Sequence, residues 1–356
     1  MTALTPISGP CAWRGEEMAR STRWVRTLDA AAVAEIDAAL RAARSAGVPW
    51  HATTRERFPL PGLDRTLADV ARELEDGSGL VLLRGLPVER YGADELRQIW
   101  FGLGSHLGRP VFQNRSGELM REIRDEGRAV GERYGQIPST SGGSTGKVLS
   151  SYARTLSNGA LRYHTDRCDV VGLLCAQQAL SGGVSKLASS VTVHNEMIRR
   201  RPDLAAVLYQ DVYRSRFGEE AAQNDVAYPL PVFGVRDGKF TSHYSLTFIE
   251  VAQMIPGVPP LSAPQREAID LLMALADELS FAMRFEPGDM QFLNNHVIYH
   301  ARTAFEDDAG SGRIRLLYRL WLAMPNSRAL PHGHEILWGS IQPGAIRGGI
   351  GQVPAA

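Results

Sequence analysis

Apolar residues recur at helical spacing in the first third of the chain and at strand spacing after about residue 150. Residues 29–46 place Val33, Ile36 and Leu40 on one face, with Asp29 as a candidate cap and Gly47 as a stop, which predicts an amphipathic helix. A second helix is expected over 65–75 through Leu67, Val70 and Leu74, and a third over 94–108. Between them "GLVLLRG" (79–85) reads as a short buried strand. Residues 125–150 are polar and glycine-rich and read as a long mobile loop of the kind that forms lids. Ser141 and Val148 occupy places where a P-loop needs glycine and Ser or Thr, so a phosphate cradle is set aside there.

Beyond 150, strand-like runs are expected at 170–176 and 207–217. A hairpin is expected at 232–245, turning at Asp237-Gly238. One helix interrupts them at 262–279, with Ser262 as cap and a stripe of Ile269, Leu272, Leu275 and Leu279. Residues 281–302 and 312–325 are turn-punctuated strand sequence. Helices first and strands later predict a mainly β core, a jelly roll or sandwich, with helices packed outside. No internal repeat or linker is evident. The whole chain, 1–356, is expected to form a single domain, with a helical flank over 1–78, a core over 79–325 and an extension over 326–356.

Lysine plus arginine and aspartate plus glutamate both count 39, so the formal net charge is zero and no basic stripe suggests nucleic acid. The basic run at 198–204 is read as the end of a helix, where cations suit the dipole. Cys11, Cys168 and Cys175 match no zinc spacing and no disulfide framework. The N-terminal residues lack the charged-then-apolar pattern of a signal peptide, and no apolar stretch approaches a membrane span. These features lead to the expectation of a soluble cytoplasmic protein, compatible with a homo-oligomer, acting on a small molecule without nucleic-acid or membrane partners.

Within "RYHTDRCDV" (162–170), His164 and Asp166 stand two apart in strand-like sequence, a spacing that directs both side chains to one face. The pair has three readings: a surface hydrogen bond, a core histidine held by its acid, or two ligands of a metal. With nine histidines in the chain, the pattern alone is weak evidence. His194 and Glu196 have the same spacing but fall at the start of a helix, where side chains two apart diverge by about 200°. A facial-triad iron centre needs a further histidine far downstream. "NNHVIYHAR" offers His296, expected to be exposed after an Asn-Asn turn, and His300, deeper in the strand and the preferred third ligand. His332 and His334 sit in loop-like sequence.

The strand "GRIRLLYRLWL" adds a second chemistry. Its alternation puts Arg315, Leu317, Arg319 and Trp321 on one face. Two guanidinium groups on such a face are either solvated at a rim or each clamp an oxyanion, because arginine binds carboxylates through two parallel hydrogen bonds. At about 3.3 Å per residue, their Cα atoms lie roughly 13 Å apart, enough to hold two different anions.

"YHTD" (163–166), "SGG" (181–183), "PGDMQFLNNHVIYHAR" (287–302) and "RIRLLYRLWL" (313–322), in this order, resemble the TauD/TfdA family of Fe(II)- and 2-oxoglutarate-dependent oxygenases, over about residues 80–325. The resemblance implies a double-stranded β-helix with His164, Asp166 and His300 as iron ligands. It implies Arg315 as the clamp for the distal carboxylate of 2-oxoglutarate and Arg319 as a contact for an anionic group of the substrate. Where relatives often carry threonine after the Gly-Gly, this chain has Ser185, which keeps the hydroxyl. Asp166 supplies the carboxylate ligand that halogenating relatives lack, so oxygen transfer is expected.

The function that follows from the resemblance is hydroxylation of an unactivated C–H bond in a small anionic or zwitterionic metabolite, using Fe(II), 2-oxoglutarate and O2 and releasing succinate and CO2. Tyr163, His243 and the 125–150 segment are candidate substrate-side elements. Two alternatives are a cupin-like zinc or manganese enzyme without oxygen chemistry and a non-catalytic sensor of 2-oxoglutarate and metal. The first has no need of a second anion clamp. The second calls for a partner surface or DNA module, and neither is apparent.

Overall fold

The Leu80–Arg84 strand is buried on both sides, with Leu80 and Leu82 in one hydrophobic core and Val81 and Leu83 in another. Alternate side chains leave a strand on opposite faces, so a continuous apolar run marks a strand between two layers. Each leucine buried in this way contributes roughly 1.5–3 kcal/mol. The computed structural model describes residues 4–127, 129–139, 146–217 and 226–351.

This strand belongs to a seven-stranded sheet. Its order is Val25–Thr27, Leu80–Arg84, Met290–Asn294, Val170–Gln177, Leu316–Ala323 and Arg109–Pro110, with Met120–Ile123 also paired to Leu316–Ala323. The first pair is parallel and the others are antiparallel. A four-stranded antiparallel sheet, in the order Phe281–Met283, Ser185–Ser189, Ile298–Arg302 and Leu161–His164, supplies the opposing layer.

The helices follow from the same two-sided burial. Ala30–Ser45, Asp64–Asp76 and Ala93–Leu107 send their apolar faces into the core that also holds Val81, Leu83, Leu174 and Leu320. Ser190–Arg200 and Ala263–Glu278 pack into the core shared with Leu187, Tyr299 and Leu317. Local chemistry fixes their ends. Asp29 accepts from the Ala32 N–H at 2.8 Å, and Ser262 and Gln265 form a reciprocal capping box. The 233–242 hairpin turns at Asp237 (φ 51°) and Gly238 (φ 76°), both left-handed, as a tight two-residue loop demands.

The structure departs from the sequence expectations in three places. The 125–150 segment is not one loop: it contains a short helix, Val130–Tyr134, and a hairpin of Gln136–Ser139 with Gly146–Leu149, while residues 140–145 lie outside the described residues. The 207–217 run is strand only over Val212–Ser215. Pro202 at the first helical position starts the helix Pro202–Val207, which buries Leu204 and Ala205. Helix also exceeds strand, at 33% against 24% of the described residues, because helical layers cover the double-stranded β-helix sheets. Among the described residues, no helix is long and apolar enough to cross a membrane.

Candidate active site

His164 ends its strand, and Asp166 lies beyond it in the turn that leads into Val170–Gln177. Strand periodicity therefore does not bring the two together; the turn does. Thr165 anchors that turn by donating its backbone N–H to the Tyr244 carbonyl at 2.8 Å, and Asn295 accepts the Asp166 N–H at 2.9 Å. His300 stands directly opposite His164 in the antiparallel pair of the small sheet. His164, Asp166 and His300 each offer a ligand atom within 4.8 Å of the others. The Nε2 atoms of His164 and His300 lie 3.8 and 3.9 Å from the two oxygens of Asp166.

The protonation states suit a cation. Burial lowers the pKa of His164, and burial together with neighbouring His164 lowers that of His300 to about 3, so both rings are neutral and present lone pairs. Burial alone would raise the pKa of Asp166, but the Arg319 guanidinium and the two imidazoles outweigh it, and the carboxyl is held ionised. His164 Nδ1 is 2.8 Å from the Arg162 carbonyl, which fixes that nitrogen as the donor and frees Nε2 for a metal. Two neutral imidazoles and one carboxylate form the donor set of a divalent first-row metal, and the three residues fit such an ion.

The sheet's inner face carries the rest. As the alternation predicts, Arg319 shares it with Leu317 and Trp321, whereas Tyr318, Leu320 and Leu322 enter the helix-covered core. Both arginines are buried, contrary to a solvated rim. Arg319 Nη1 lies 3.5 Å from Asp166 Oδ2, and its Nε donates to Gln113 Oε1 at 2.7 Å. Arg315 precedes the strand with its Nη1 shielded from solvent and without a hydrogen-bond partner among the described residues. Burial drives its pKa down to about 10. An orphaned buried guanidinium fits an anionic group such as the carboxylate of 2-oxoglutarate. Gly183 (φ 63°) explains the Gly-Gly: a Cβ there would sit 3.1 Å from Arg315 Nε. Ser185, buried two residues on, pairs in register with Arg302, whose own pKa is lowered by burial and by the nearby Arg315 charge.

A cavity of about 570 Å³ opens onto His164, Asp166 and Arg319 and is also lined by His243. His243 is buried, neutral and bonded through Nδ1 to Thr165 Oγ1 at 3.0 Å. Tyr163 touches the same cavity, yet its hydroxyl is committed to Ser280 Oγ at 2.8 Å and Lys186 lies over its ring, since it points off the strand opposite to His164. Its polar end is thus not offered to a substrate. His194 is buried against Phe233 and Phe240, and Glu196 pairs with Arg199 and Arg200, so the competing pair does not converge. The basic run at 198–204 is likewise spent on ion pairs, Arg200 with Glu278 and Arg201 with Asp203.

His296 reverses its expected exposure and is fully buried. Its Nε2 donates to Asp169 at 2.9 Å and its Nδ1 accepts from Thr241 at 2.7 Å, while Asp169 also receives Arg347 Nε and the Met324 N–H. The Asn-Asn turn is itself internal, which carries His296 inward. His334 is buried as well, at the start of a helical turn, Glu335–Trp338. The sequence reading missed three supporting residues: Trp321, whose indole N–H donates to Asp166 Oδ2 at 2.9 Å; Asn295; and Gln113. Trp321 carried a signal, its place two residues from Arg319 on the inner face.

A family profile described as "Taurine catabolism dioxygenase TauD, TfdA family" matches residues 44–321. The chain is 30% identical over 334 residues to "FR-33289 synthase" of Streptomyces rubellomurinus, covering 92% of this chain and 93% of that protein. It is 31% identical over 323 residues to "Taurine hydroxylase-like protein SAT17" of Stachybotrys chartarum, covering 88% and 79%. Its fold is similar to an asparagine oxygenase solved with Fe(II), 2S,3S-3-hydroxyasparagine and succinate (TM-score 0.59, 19% identity, 85% of this chain and 94% of that one). It is also similar to the non-haem iron oxygenase OrfP with Fe, succinate and (3S)-hydroxy-L-Arg (TM-score 0.59, 16% identity, 84% and 94%).

Proposed function

We infer that this chain, which belongs to the taurine catabolism dioxygenase TauD, TfdA family, is an Fe(II)- and 2-oxoglutarate-dependent dioxygenase that hydroxylates a small molecule. The double-stranded β-helix is its scaffold. We assign His164, Asp166 and His300 as the iron ligands, and the observation that carries this is the convergence of their ligand atoms within 4.8 Å, with His164 and Asp166 at the wall of the large cavity. Arg315 and Ser185 are assigned to 2-oxoglutarate, supported by the unpartnered Arg315 Nη1. Arg319 and His243 are assigned to the substrate, which is small and anionic or zwitterionic. The hydroxylated amino acids in the two structural neighbours carry a carboxylate of the kind Arg319 would hold. Three free cysteines fit a reducing, cytoplasmic setting.

Fe(II) with 2-oxoglutarate and O2 supplies the oxidant that removes hydrogen from a C–H bond, with succinate and CO2 as coproducts. This chain's residues aim and shield that chemistry. Trp321 and Asn295 hold Asp166 by its side chain and its backbone, so the carboxylate cannot turn away. Gln113 and Arg319 bond reciprocally, side chain to side chain and side chain to carbonyl, which fixes the guanidinium beside the metal position. Asp166 is buried and His164 and His300 are partly buried, which limits the approach of water to the three ligands.

The test is substrate-dependent succinate formation by the purified chain with Fe(II), 2-oxoglutarate and O2 across a panel of small anionic metabolites. Succinate should rise with at least one of them and vanish in His164→Ala and His300→Ala. Undiminished succinate in either variant would sink the ligand assignment.

A further inference from the structure

We propose that Arg347 is a positioning residue of the metal centre: it anchors a C-terminal strap, Arg347–Ile350, that holds the turn carrying Asp166. The proposal rests on the assignment of Asp166 as an iron ligand. The strap lies beyond residue 321, where the match to the family profile ends. Its anchor is a buried ion pair between residues 178 apart in sequence, with Arg347 Nε donating to Asp169 Oδ1 at 2.8 Å. Both side chains are shut off from solvent. Burial alone would raise the Asp169 pKa, but the His296 hydrogen bond and the Arg347 charge outweigh it and hold the carboxyl ionised. Either group buried alone would be costly, so the pair fixes where the strap begins.

From that anchor, three consecutive N–H groups run along the site. Gly348 donates to the Trp338 carbonyl at 3.0 Å, Gly349 to the Arg167 carbonyl at 2.7 Å and Ile350 to the Phe112 carbonyl at 2.8 Å. Arg167 directly follows Asp166, and its own Nε donates to the Leu337 carbonyl at 3.0 Å. The C-terminal extension thus grips the residue next to the ligand by both main chain and side chain. Phe112 in turn precedes Gln113, which holds Arg319. The close approach demands glycine. Gly348 (φ 74°) and Gly349 (φ 72°) are left-handed, and a Cβ would sit 2.7 Å from the Arg167 oxygen at the first and 2.9 Å from the Phe112 oxygen at the second.

The turn is therefore held from two directions. The Tyr244 carbonyl and Asn295 fix its first half through Thr165 and Asp166, and the strap fixes its second half through Arg167 and Asp169. Leu337 and Ile350 both line the large cavity, so the strap also forms part of the chamber wall. His296 donates to Asp169 as well, but it is not part of the strap, and its loss leaves Arg347 anchored and Gly349 on Arg167. Loss of Arg347 instead releases the strap and leaves the chain after Asp166 without its grip. A ligand that must be ordered as the metal binds costs affinity, as the loss of other groups that orient a metal ligand does.

The experiment is anaerobic titration of the full chain with Co(II), whose visible absorption reports ligand geometry, with affinity read in competition against a chelator. Arg347→Gln should weaken Co(II) binding by about tenfold or more and change the shape of the absorption bands. Arg347→Lys keeps the charge beside Asp169 and should recover part of both. Arg84→Gln breaks another ion pair on a buried carboxylate, that of Asp289, which lies across the strand Met290–Asn294 from Asn295, roughly 20 Å away. It should lower stability to chemical denaturation and leave Co(II) affinity and bands as in wild type. Should Arg347→Gln fail to fold, Arg347→Lys carries the test, with weaker binding and altered bands expected. Wild-type affinity and bands in the folded Arg347 variant, or an equal loss in Arg84→Gln, overturn the proposal. A wild-type chain that takes up no Co(II) sinks the ligand assignment itself, and the strap's role with it.

Discussion

His300 stands directly across the strand pair from His164, and their ring centroids are 4.2 Å apart. Two neutral imidazoles so placed, with Asp166 completing the set, predict that His300→Ala loses stoichiometric Fe(II), read as metal content after desalting. His296→Ala, four residues earlier, should keep its iron. It should instead unfold more easily, by about 1–3 kcal/mol for the buried Asp169 left without one donor, read by chemical denaturation. Equal metal loss in both variants would place the third ligand elsewhere.

Trp321 reaches the same carboxylate from the large sheet, 155 residues away in sequence. Phenylalanine keeps the ring's bulk and removes only the N–H. Trp321→Phe should therefore weaken Fe(II) affinity by about 10–100-fold, the usual cost of losing a hydrogen bond to a metal ligand, with little change in thermal stability. Unchanged affinity in a competition with a metal chelator would mean that Asp166 is held without it.

These two residues mark what could and could not be read from the sequence. Local chemistry was legible: the Asp29 and Ser262 caps and the Asp237-Gly238 turn depend on neighbours a few residues away. The shared inner face of Arg319 and Trp321 followed from period-two alternation. The burial of His296 was not legible, because its partner Asp169 lies 127 residues away and the third member of the cluster, Arg347, comes from the C-terminal extension. The hairpin inside 125–150 was hidden by glycine and serine, which carry no apolar alternation. The two-residue spacing of His164 and Asp166 reads as strand alternation, whereas a turn rather than a strand brings them together.

Arg315 should govern co-substrate affinity separately from metal binding. Arg315→Gln removes the charge from a site where Nη1 has no partner among the described residues. The KM for 2-oxoglutarate should rise by roughly tenfold or more, the loss of one charge-assisted hydrogen bond worth about 1.5–3 kcal/mol. Fe(II) content should stay at the wild-type level. Ser185→Ala, which removes a neutral hydroxyl, should raise the KM by less. An unchanged KM in Arg315→Gln would take the co-substrate away from this end of the sheet.

The buried histidines outside the triad predict an acid-sensitive fold. Burial lowers the pKa of His296 to about 4, even with Asp169 beside it, that of His334 to about 4, and that of His243 well below its ordinary 6.5. As pH falls below 6.5, the unfolded chain takes up protons that the folded chain refuses, so the folded state loses stability until the folded pKa values are reached. For His296 alone, the passage from 6.5 to about 4 is on the order of 3 kcal/mol. The carboxyls of Asp166 and Asp169, both held low, extend the loss in the same direction further into acid. Denaturant midpoints of the metal-free chain should therefore fall steadily from pH 7 to pH 4.5, and His334→Gln should flatten that slope by about one proton's share. A midpoint that holds constant across this range would mean that these imidazoles take up protons inside the fold as readily as in the unfolded chain.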